Sequence, residues 1–244
     1  MHPVLCQIGP LHIFSYGLML AVAVVVCSLL LVREAPHRGL SPDILMDLVF
    51  WAILFGIIGA RVFFIFLNLE IFVADPLEIV KLQHGGLAFQ GGLIGGFLAG
   101  WIFMRLKKMA VLPTLDLIAP FIALGHSIGR IGCFLNGCCY GRPVSWGIYF
   151  PVHHERLHPT QLYESFGLLL LFFFLKWYEK RKHADGEIFF SYLVLAAALR
   201  FVNEFLRADH ADVVWGLSIF QLVSIGIFIA GLYGKTFLQS RRRT

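Results

Sequence analysis

The chain has 244 residues, of which 58% are hydrophobic and only 14% charged, and its mean hydropathy is strongly positive. A soluble domain rarely has this composition, and the apolar residues form long blocks separated by short polar connections, as in polytopic membrane proteins. The formal net charge of +5 does not indicate a nucleic-acid-binding protein, because the basic residues lie at the ends of hydrophobic segments and not on one amphipathic face.

Seven apolar segments approach the roughly 20 residues that a membrane-spanning helix requires. They cover residues 13–32, 46–67, 87–106, 115–133, 163–178, 187–206 and 215–236. The fifth is short, so we expect its helix to begin earlier or to tilt. No Lys or Arg precedes the first segment, which is expected to be retained as a helix because a signal peptide would carry such a charge. We therefore predict an all-α integral membrane protein with about seven spans in one domain, residues 1–244.

Lysine and arginine are concentrated in every second connection, and this distribution predicts the orientation. Basic residues follow the first, third, fifth and seventh segments, as at Arg33, Lys107, Lys180 and Arg241. The positive-inside rule places these connections in the cytoplasm, so the N-terminus is expected outside and the C-terminus in the cytoplasm. The longest non-helical stretch, at about 134–162, is then an external loop, and ordered loops of that length are often functional.

Three arginines lie inside predicted spans: Arg61, Arg130 and Arg200. A charged side chain inside a span costs a few kcal/mol on insertion scales. At 1.5 Å per residue, all three lie about 5–9 Å from the external ends of their helices, in the outer leaflet. Each could snorkel or pair with a carboxylate, as Glu204 could do for Arg200 one turn away. Their matched depth favours convergence on an anion, for which a phospholipid phosphate is the abundant candidate.

Glycines follow Gln90 at the start of the third span. Gly91, Gly92, Gly95 and Gly96 permit close approach of the backbone, either to a ligand or to a neighbouring helix. Both roles stay open for these glycines.

Residues 126–143 form the most informative motif. It reads His126-Ser-Ile-Gly-Arg130-Ile-Gly-Cys133-Phe-Leu-Asn136-Gly-Cys138-Cys139-Tyr140-Gly141-Arg142-Pro143. Arg130 and Asn136 offer a guanidinium and an amide that suit a phosphate and its glycerol hydroxyls. His126, one turn before Arg130, is either a base or a buried, hydrogen-bonded histidine, and the second role is favoured.

Two further polar segments lie at the ends of spans. The segment from Leu157 to Glu164, LHPTQLYE, precedes the fifth span, where complementing the helix N-terminus is enough to account for Glu164. The segment from Arg200 to Arg207, RFVNEFLR, closes the sixth span, where ordinary ion pairing at a helix end would also account for the charges.

These four segments, in this order and on this topology, resemble the bacterial prolipoprotein diacylglyceryl transferase family over nearly the whole chain. The family signature is Gly-Arg-x-Gly/Ala-Asn-Phe-x-Asn-x-Glu-x-x-Gly, and the matching residues here are Gly129, Arg130, Gly132, Phe134, Asn136 and Gly141. The Ser15-Tyr16-Gly17 and His-Pro-Thr-Gln-Leu-Tyr-Glu motifs add specificity. The chain departs from the family at four positions. Cys133 stands in place of Asn, Cys138 of Glu, Gln90 of His and Ala196 of Tyr.

The resemblance implies an enzyme of the bacterial cytoplasmic (inner) membrane with its site on the periplasmic or external side. It would transfer the diacylglyceryl group of phosphatidylglycerol to the lipobox cysteine of prolipoproteins, which is the first step of lipoprotein maturation. Arg130 and Arg200 would stabilise the departing phosphate. The candidate bases are His126, then Glu204, then His158. Further substrate contacts are expected from Arg61, Tyr16, Gln90, Asn136, Gly141 and His158, and no metal or organic cofactor is expected.

More than one role is open for the cysteines and for the arginines. Cys133 could form a disulfide with Cys138 or Cys139 on the external side. Zinc is less favoured because only distant histidines could complete its four ligands, and buried free cysteines usually serve as small apolar residues.

An outer-leaflet phospholipid-binding transporter or flippase would use the arginines for a headgroup, but such sites usually lie near the midplane. A redox membrane protein that uses the vicinal Cys138 and Cys139 is a further alternative. The absence of a Cys-x-x-Cys motif from the sequence argues against it.

Overall fold

The computed structural model describes residues 1–8, 11–79, 81, 85–208, 212–214 and 216–243. Within these residues it contains eight α-helices, two short 3₁₀ helices and six short strands. The α-helices are α1 (Ser15–Glu34), α2 (Pro42–Leu67), α3 (Leu69–Ala74), α4 (Phe89–Leu106), α5 (Val111–Asn136), α6 (Thr160–Tyr178), α7 (Glu187–Glu204) and α8 (Ile219–Arg243). All except the short α3 fall on the predicted spans, and α6 begins earlier than its apolar run, as expected.

Five helical stretches of the described chain are long and apolar enough to cross a membrane. They are Ser15–Arg38, Pro42–Leu67, Phe89–Leu106, Val111–Asn136 and Ile219–Ser240. The helices α6 and α7 are of similar length to α4 but carry ionisable residues such as Glu164 and Arg200. Large apolar side chains, including Phe66 and Leu106, are exposed, as expected for a surface that contacts lipid. The predicted helical membrane protein is confirmed, whereas the number of spans and the orientation of the termini stay predictions.

The strands form three antiparallel hairpins. They are β1 (Val4–Ile8) with β2 (Leu11–Phe14), β3 (Pro143–Phe150) with β4 (Glu155–Leu157), and β5 (Asp212–Val214) with β6 (Leu217–Ser218). The second hairpin lies in the predicted loop at about 134–162. That loop is shorter than predicted, because α5 continues through Asn136 and α6 begins at Thr160. Much of it is ordered by the pairing of β3 with β4.

The chain divides into two compact units. The larger comprises Met1–Leu31 and Leu115–Thr244, and the smaller comprises Val32–Thr114. The single membrane domain predicted from the sequence stays a prediction.

The smaller unit is built on a glycine contact between α2 and α4. A Cβ atom on Gly95 would lie 2.4 Å from the carbonyl oxygen of Phe55, and one on Gly59 would lie 2.5 Å from that of Gly91. Only hydrogen fits at these positions, so the two backbones can approach closely, as in membrane helix pairs with small residues at the interface. Helix packing is therefore a role of the glycines that follow Gln90.

In the larger unit, α5, α6 and α7 pack around a small buried core. Its fully or nearly fully buried members are Ala119, Ala123, Leu168, Leu171, Leu175 and Ile188. At one end, the Asp116 carboxylate of α5 accepts backbone N–H groups from Gly186 at 2.6 Å and Phe189 at 2.8 Å, which fixes the start of α7. Further along, the hydroxyls of Ser127 and Ser165 lie 3.1 Å apart and join α5 to α6. These contacts set the register in which the next turns of the three helices meet.

Candidate active site

One carboxylate joins three helices where the polar segments of α5, α6 and α7 meet. Nη2 of Arg130 lies 2.9 Å from Oε1 of Glu164, and Nη1 of Arg200 lies 3.3 Å from Oε2 of the same side chain. Only 2% of Glu164 is exposed, so its carboxylate is withdrawn from solvent and held between two guanidiniums. Such burial of an ion is tolerated only where partners compensate the lost hydration.

The interpretation of Glu164 as a residue that complements the α6 N-terminus is wrong. Its carboxylate is directed at α5 and α7, and the side-chain amide of Asn203 donates a hydrogen bond to it at 3.0 Å. Arg200 is 36 residues away in sequence, so no local spacing shows the pairing.

A second carboxylate extends the array. Glu204 is fully buried, and its Oε2 lies 2.7 Å from Nη2 of Arg200 and 3.6 Å from Nε of Arg207. The Ser218 hydroxyl donates to Oε1 of Glu204 at 2.9 Å. The pairing of Arg200 with Glu204 one turn away is confirmed. We call Arg130, Glu164, Arg200, Glu204 and Arg207 the charged cluster; its three positive and two negative charges leave one net positive charge.

Buried polar atoms without a hydrogen-bond partner in the described structure line the same region. They include Nε of Arg130, Oε1 of Gln161 and Oδ1 of Asn203. Buried polar groups are normally satisfied, and exceptions need a physical reason. A donor and two acceptors of this kind suit a polar ligand that carries both phosphate oxygens and hydroxyls.

His126 and Tyr16 also lie near the cluster. His126 Nε2 is 3.6 Å from Oε1 of Glu164, and 37% of the histidine side chain is exposed. Tyr16 lies in the first turn of α1, is partly exposed, and is within electrostatic range of Arg130. The structure therefore brings both predicted residues to the end of α5 where Arg130 lies.

Asn136, Gly141 and His158 lie where α5 leads into the second hairpin. The Asn136 side chain lies near the sulfur of Cys138. The Gly141 N–H donates to the His158 carbonyl at 2.9 Å, and a Cβ atom on Gly141 would lie only 2.5 Å from the Cβ of His158. Nδ1 of His158 is 3.3 Å from the Tyr163 hydroxyl. Gly141 thus has a packing role whether or not it also contacts substrate.

Arg61 belongs to the smaller unit, where backbone carbonyls surround its buried guanidinium. Nε donates to Ile79 at 3.1 Å, Nη1 donates to Gly85 at 2.6 Å and to Gly86 at 3.0 Å, and Nη2 donates to Glu78. A buried guanidinium needs such acceptors. The convergence of Arg61 with the other two arginines stays a prediction.

Gln90 belongs to the smaller unit as well, where it lies exposed on the first turn of α4. Its predicted contact with substrate stays a prediction.

The three cysteines near Arg130 lie close together. The sulfur atoms of Cys133, Cys138 and Cys139 are all within 4.8 Å of one another. All five cysteines of the chain fall in the described ranges and are free thiols, so the structure does not contain the disulfide that Cys133 could form with Cys138 or Cys139. The pKa of Cys139 lies below the ordinary thiol value, because hydrogen bonds from the Cys133 and Cys138 thiols, with charge from Arg207 and Arg130, stabilise its thiolate.

Sequence reasoning did not identify Glu164 as the residue that bridges the two arginines. It also did not assign the side chains of Gln161 and Asn203 to the site. Two signals were available. Gln161 and Glu164 are three residues apart and therefore share a face of α6. A carboxylate within an apolar helix also requires a cationic partner, which can lie on another helix. Arg130 and Arg200 were the candidate partners in the sequence.

The fold and site define a polytopic helical membrane protein with a buried, net-positive arginine cluster at one end of three adjacent helices. The chain belongs to the prolipoprotein diacylglyceryl transferase family, whose model matches residues 3–236. It is therefore a membrane transferase, and both the predicted family and the predicted enzyme class are confirmed.

Similar proteins span nearly the full chain. A phosphatidylglycerol–prolipoprotein diacylglyceryl transferase of Clostridium tetani is 35% identical over 240 residues, which is 96% of each chain. Enzymes of the same name from Staphylococcus carnosus and Trichormus variabilis are each 36% identical. They cover 94% and 99% of this chain and 88% and 91% of their own lengths. These similarities support the enzyme and not the flippase alternative.

Proposed function

We propose that this protein transfers the diacylglyceryl group of phosphatidylglycerol to the thiol of the lipobox cysteine of prolipoproteins, the first step of lipoprotein maturation. The names of the similar proteins supply the two substrates. The observation that carries the chemistry is the pair of guanidiniums, Arg130 and Arg200, fixed on one buried carboxylate, Glu164. A net-positive site of this kind suits a phosphate group.

The reaction is a displacement at carbon. The thiolate sulfur attacks the glyceryl carbon that carries the phosphate ester, a C–S bond forms, and the C–O bond breaks. The electrons of the C–O bond leave with glycerol phosphate, and the thiol proton goes to a base or to the departing phosphate. Negative charge therefore grows on the phosphate oxygens in the transition state, where fixed arginine donors stabilise it most.

Arg130 and Arg200 take the catalytic role in this proposal. Glu164 and Glu204 act as positioning residues, because their buried carboxylates hold the guanidiniums in place and reduce the repulsion between them. The net positive charge remains available to the substrate phosphate.

His126 is the first candidate base, ahead of Glu204 and His158. The exposure of the side chains supports this order, since His126 is 37% exposed whereas Glu204 is 0% exposed and already engaged by Arg200. A base must reach the proton of the incoming thiol, and a fully buried carboxylate between two arginines has no open approach.

Tyr16, Asn136, Gly141 and His158 complete the proposed substrate contacts near the charged cluster. Arg61 and Gln90 are further proposed lipid contacts, on the evidence of the sequence alone. The enzyme is placed in the bacterial cytoplasmic membrane with the site facing outward. The support is the distribution of basic residues, which the positive-inside rule assigns to the cytoplasm.

The test is to incubate purified protein in detergent with phosphatidylglycerol and a lipobox peptide, and to measure the peptide mass. The proposal expects a gain of one diacylglyceryl unit on the cysteine. A peptide with serine in place of that cysteine should gain nothing, and phosphatidylethanolamine should replace phosphatidylglycerol poorly. Absence of any gain from a folded preparation would overturn the proposed function.

A further inference from the structure

Three cysteines lie together at the end of α5, outside the charged cluster. Cys133 lies in the last turn of the helix, and Cys138 and Cys139 follow it. The chain reverses at Gly137, where φ is +79°, and the Cys138 N–H donates to the Cys133 carbonyl at 3.2 Å. This turn brings the three sulfur atoms within 4.8 Å of one another.

The cysteine-bearing turn is held by side chains of α6. The Thr160 hydroxyl donates to the Cys139 carbonyl at 2.8 Å, and the Gln161 amide donates to the Cys138 carbonyl. Cys139 itself has φ of +63°, a conformation that is uncommon for a residue other than glycine. The surrounding contacts therefore fix the backbone of the three-sulfur group before any ligand arrives, which lowers the entropic cost of binding.

The number of ligands distinguishes between metals. Three sulfurs that each lie about 2.3 Å from one ion, in a plane around it, are about 4 Å from one another. The three sulfurs here lie within 4.8 Å of one another, which is close to that spacing. Structural zinc takes four ligands, and no His, Asp or Glu atom of the described chain joins the three sulfurs. Thiolates are soft ligands and select soft ions such as copper(I).

The electrostatic surroundings also fit. Three thiolates around a monovalent ion carry two net negative charges, since one positive and three negative charges are combined. Arg130 and Arg207 both lie within electrostatic range of Cys139 and would offset that charge. Cys133 is 8% exposed, so the ion would be largely shielded from solvent.

We propose that Cys133, Cys138 and Cys139 form a three-thiolate site for one soft monovalent ion of the copper(I) type. Binding forms three metal–sulfur bonds, and each cysteine that carries a proton releases it to the solvent. The proposed transfer reaction does not use these thiols, although Arg130 lies near both groups.

The test is an anaerobic titration of the full-length protein in detergent with copper(I), in competition with a coloured copper(I) chelator. We expect one ion per chain, with only sulfur neighbours in X-ray absorption. Cys133→Ser and Cys139→Ser should each weaken retention by more than about tenfold. Cys6→Ser and Cys27→Ser, which change the other two cysteines, should leave it unchanged.

A second measurement needs no variant. Copper(I) should slow alkylation of the three thiols in the wild-type protein, measured by peptide mass spectrometry, while Cys6 reacts as before. The proposal would be overturned by any of three results. These are loss of the ion to the competitor, retention of the ion after both serine replacements, and tighter binding of zinc with nitrogen among its ligands. Because these readouts do not involve lipid transfer, they are independent of the proposed function.

Discussion

The carboxylate of Glu164 lies 2.9 Å from the guanidinium of Arg130, and this buried ion pair joins α6 to α5 at the site. The same carboxylate lies 3.3 Å from Arg200 of α7. Without Glu164, the positive charges of Arg130 and Arg200, which are only partly exposed, would lose a shared compensating carboxylate. The carboxylate is therefore expected to contribute to stability as well as to the geometry of the site.

Glu164→Ala should lower the free energy of unfolding by about 3 kcal/mol, since breaking a buried ion pair typically costs about 3–5 kcal/mol. Glu164→Gln preserves shape but not charge, so it should lose less stability while still displacing the arginines. Thermal unfolding in detergent and the transfer assay report the two effects. The matched control is Glu155→Gln, an exposed position on β4. A wild-type melting temperature for Glu164→Ala would contradict this role.

The glycine contact between α2 and α4 offers a matched pair of alanine substitutions. A Cβ at Gly95 would lie 2.4 Å from a backbone oxygen, whereas one at Gly92 would first meet an atom at 3.4 Å. Gly95→Ala should therefore push the helices apart and lower stability by about 1–3 kcal/mol, while Gly92→Ala should be tolerated. Thermal unfolding of the two variants compares them directly. Equal melting temperatures would show that this contact does not limit helix approach.

Arg61→Lys distinguishes a structural role from lipid binding. Lysine is a single charged centre and cannot reproduce the planar set of donors that binds the carbonyls of residues 78, 79, 85 and 86. The proposed lipid contact expects the variant to raise the KM for phosphatidylglycerol. A lowered melting temperature with an unchanged KM would show instead that Arg61 serves the structure of the smaller unit alone.

The helices were largely predictable because each is a long apolar block with polar ends. The start of α6 was less clear, since Gln161 and Glu164 interrupt the apolar pattern for a reason that lies in other helices. The second hairpin was missed because the segment from 143 to 157 lacks strict alternation, and its pairing is irregular between Pro143 and Ile148.

The site was predictable in part. Arg130 and Arg200 were identified because charge within a span requires a physical reason, and the pair of Arg200 with Glu204 follows from helical spacing. The link from Glu164 to both arginines depends on how three helices pack, which no spacing in one segment encodes. The contacts of Arg61 with backbone carbonyls could not be predicted either, because those carbonyls lie 17 or more residues away in sequence.

The most direct measurement of the central claim is the rate of diacylglyceryl transfer by Arg130→Ala, followed by the mass of the lipobox peptide. Losing a fixed donor to the departing phosphate should reduce kcat/KM by about 10²–10³-fold in a protein that still melts cooperatively. Arg142→Ala, at an exposed position twelve residues along the chain, should retain wild-type activity. Full activity of folded Arg130→Ala would contradict the assignment of the charged cluster as the site of transfer.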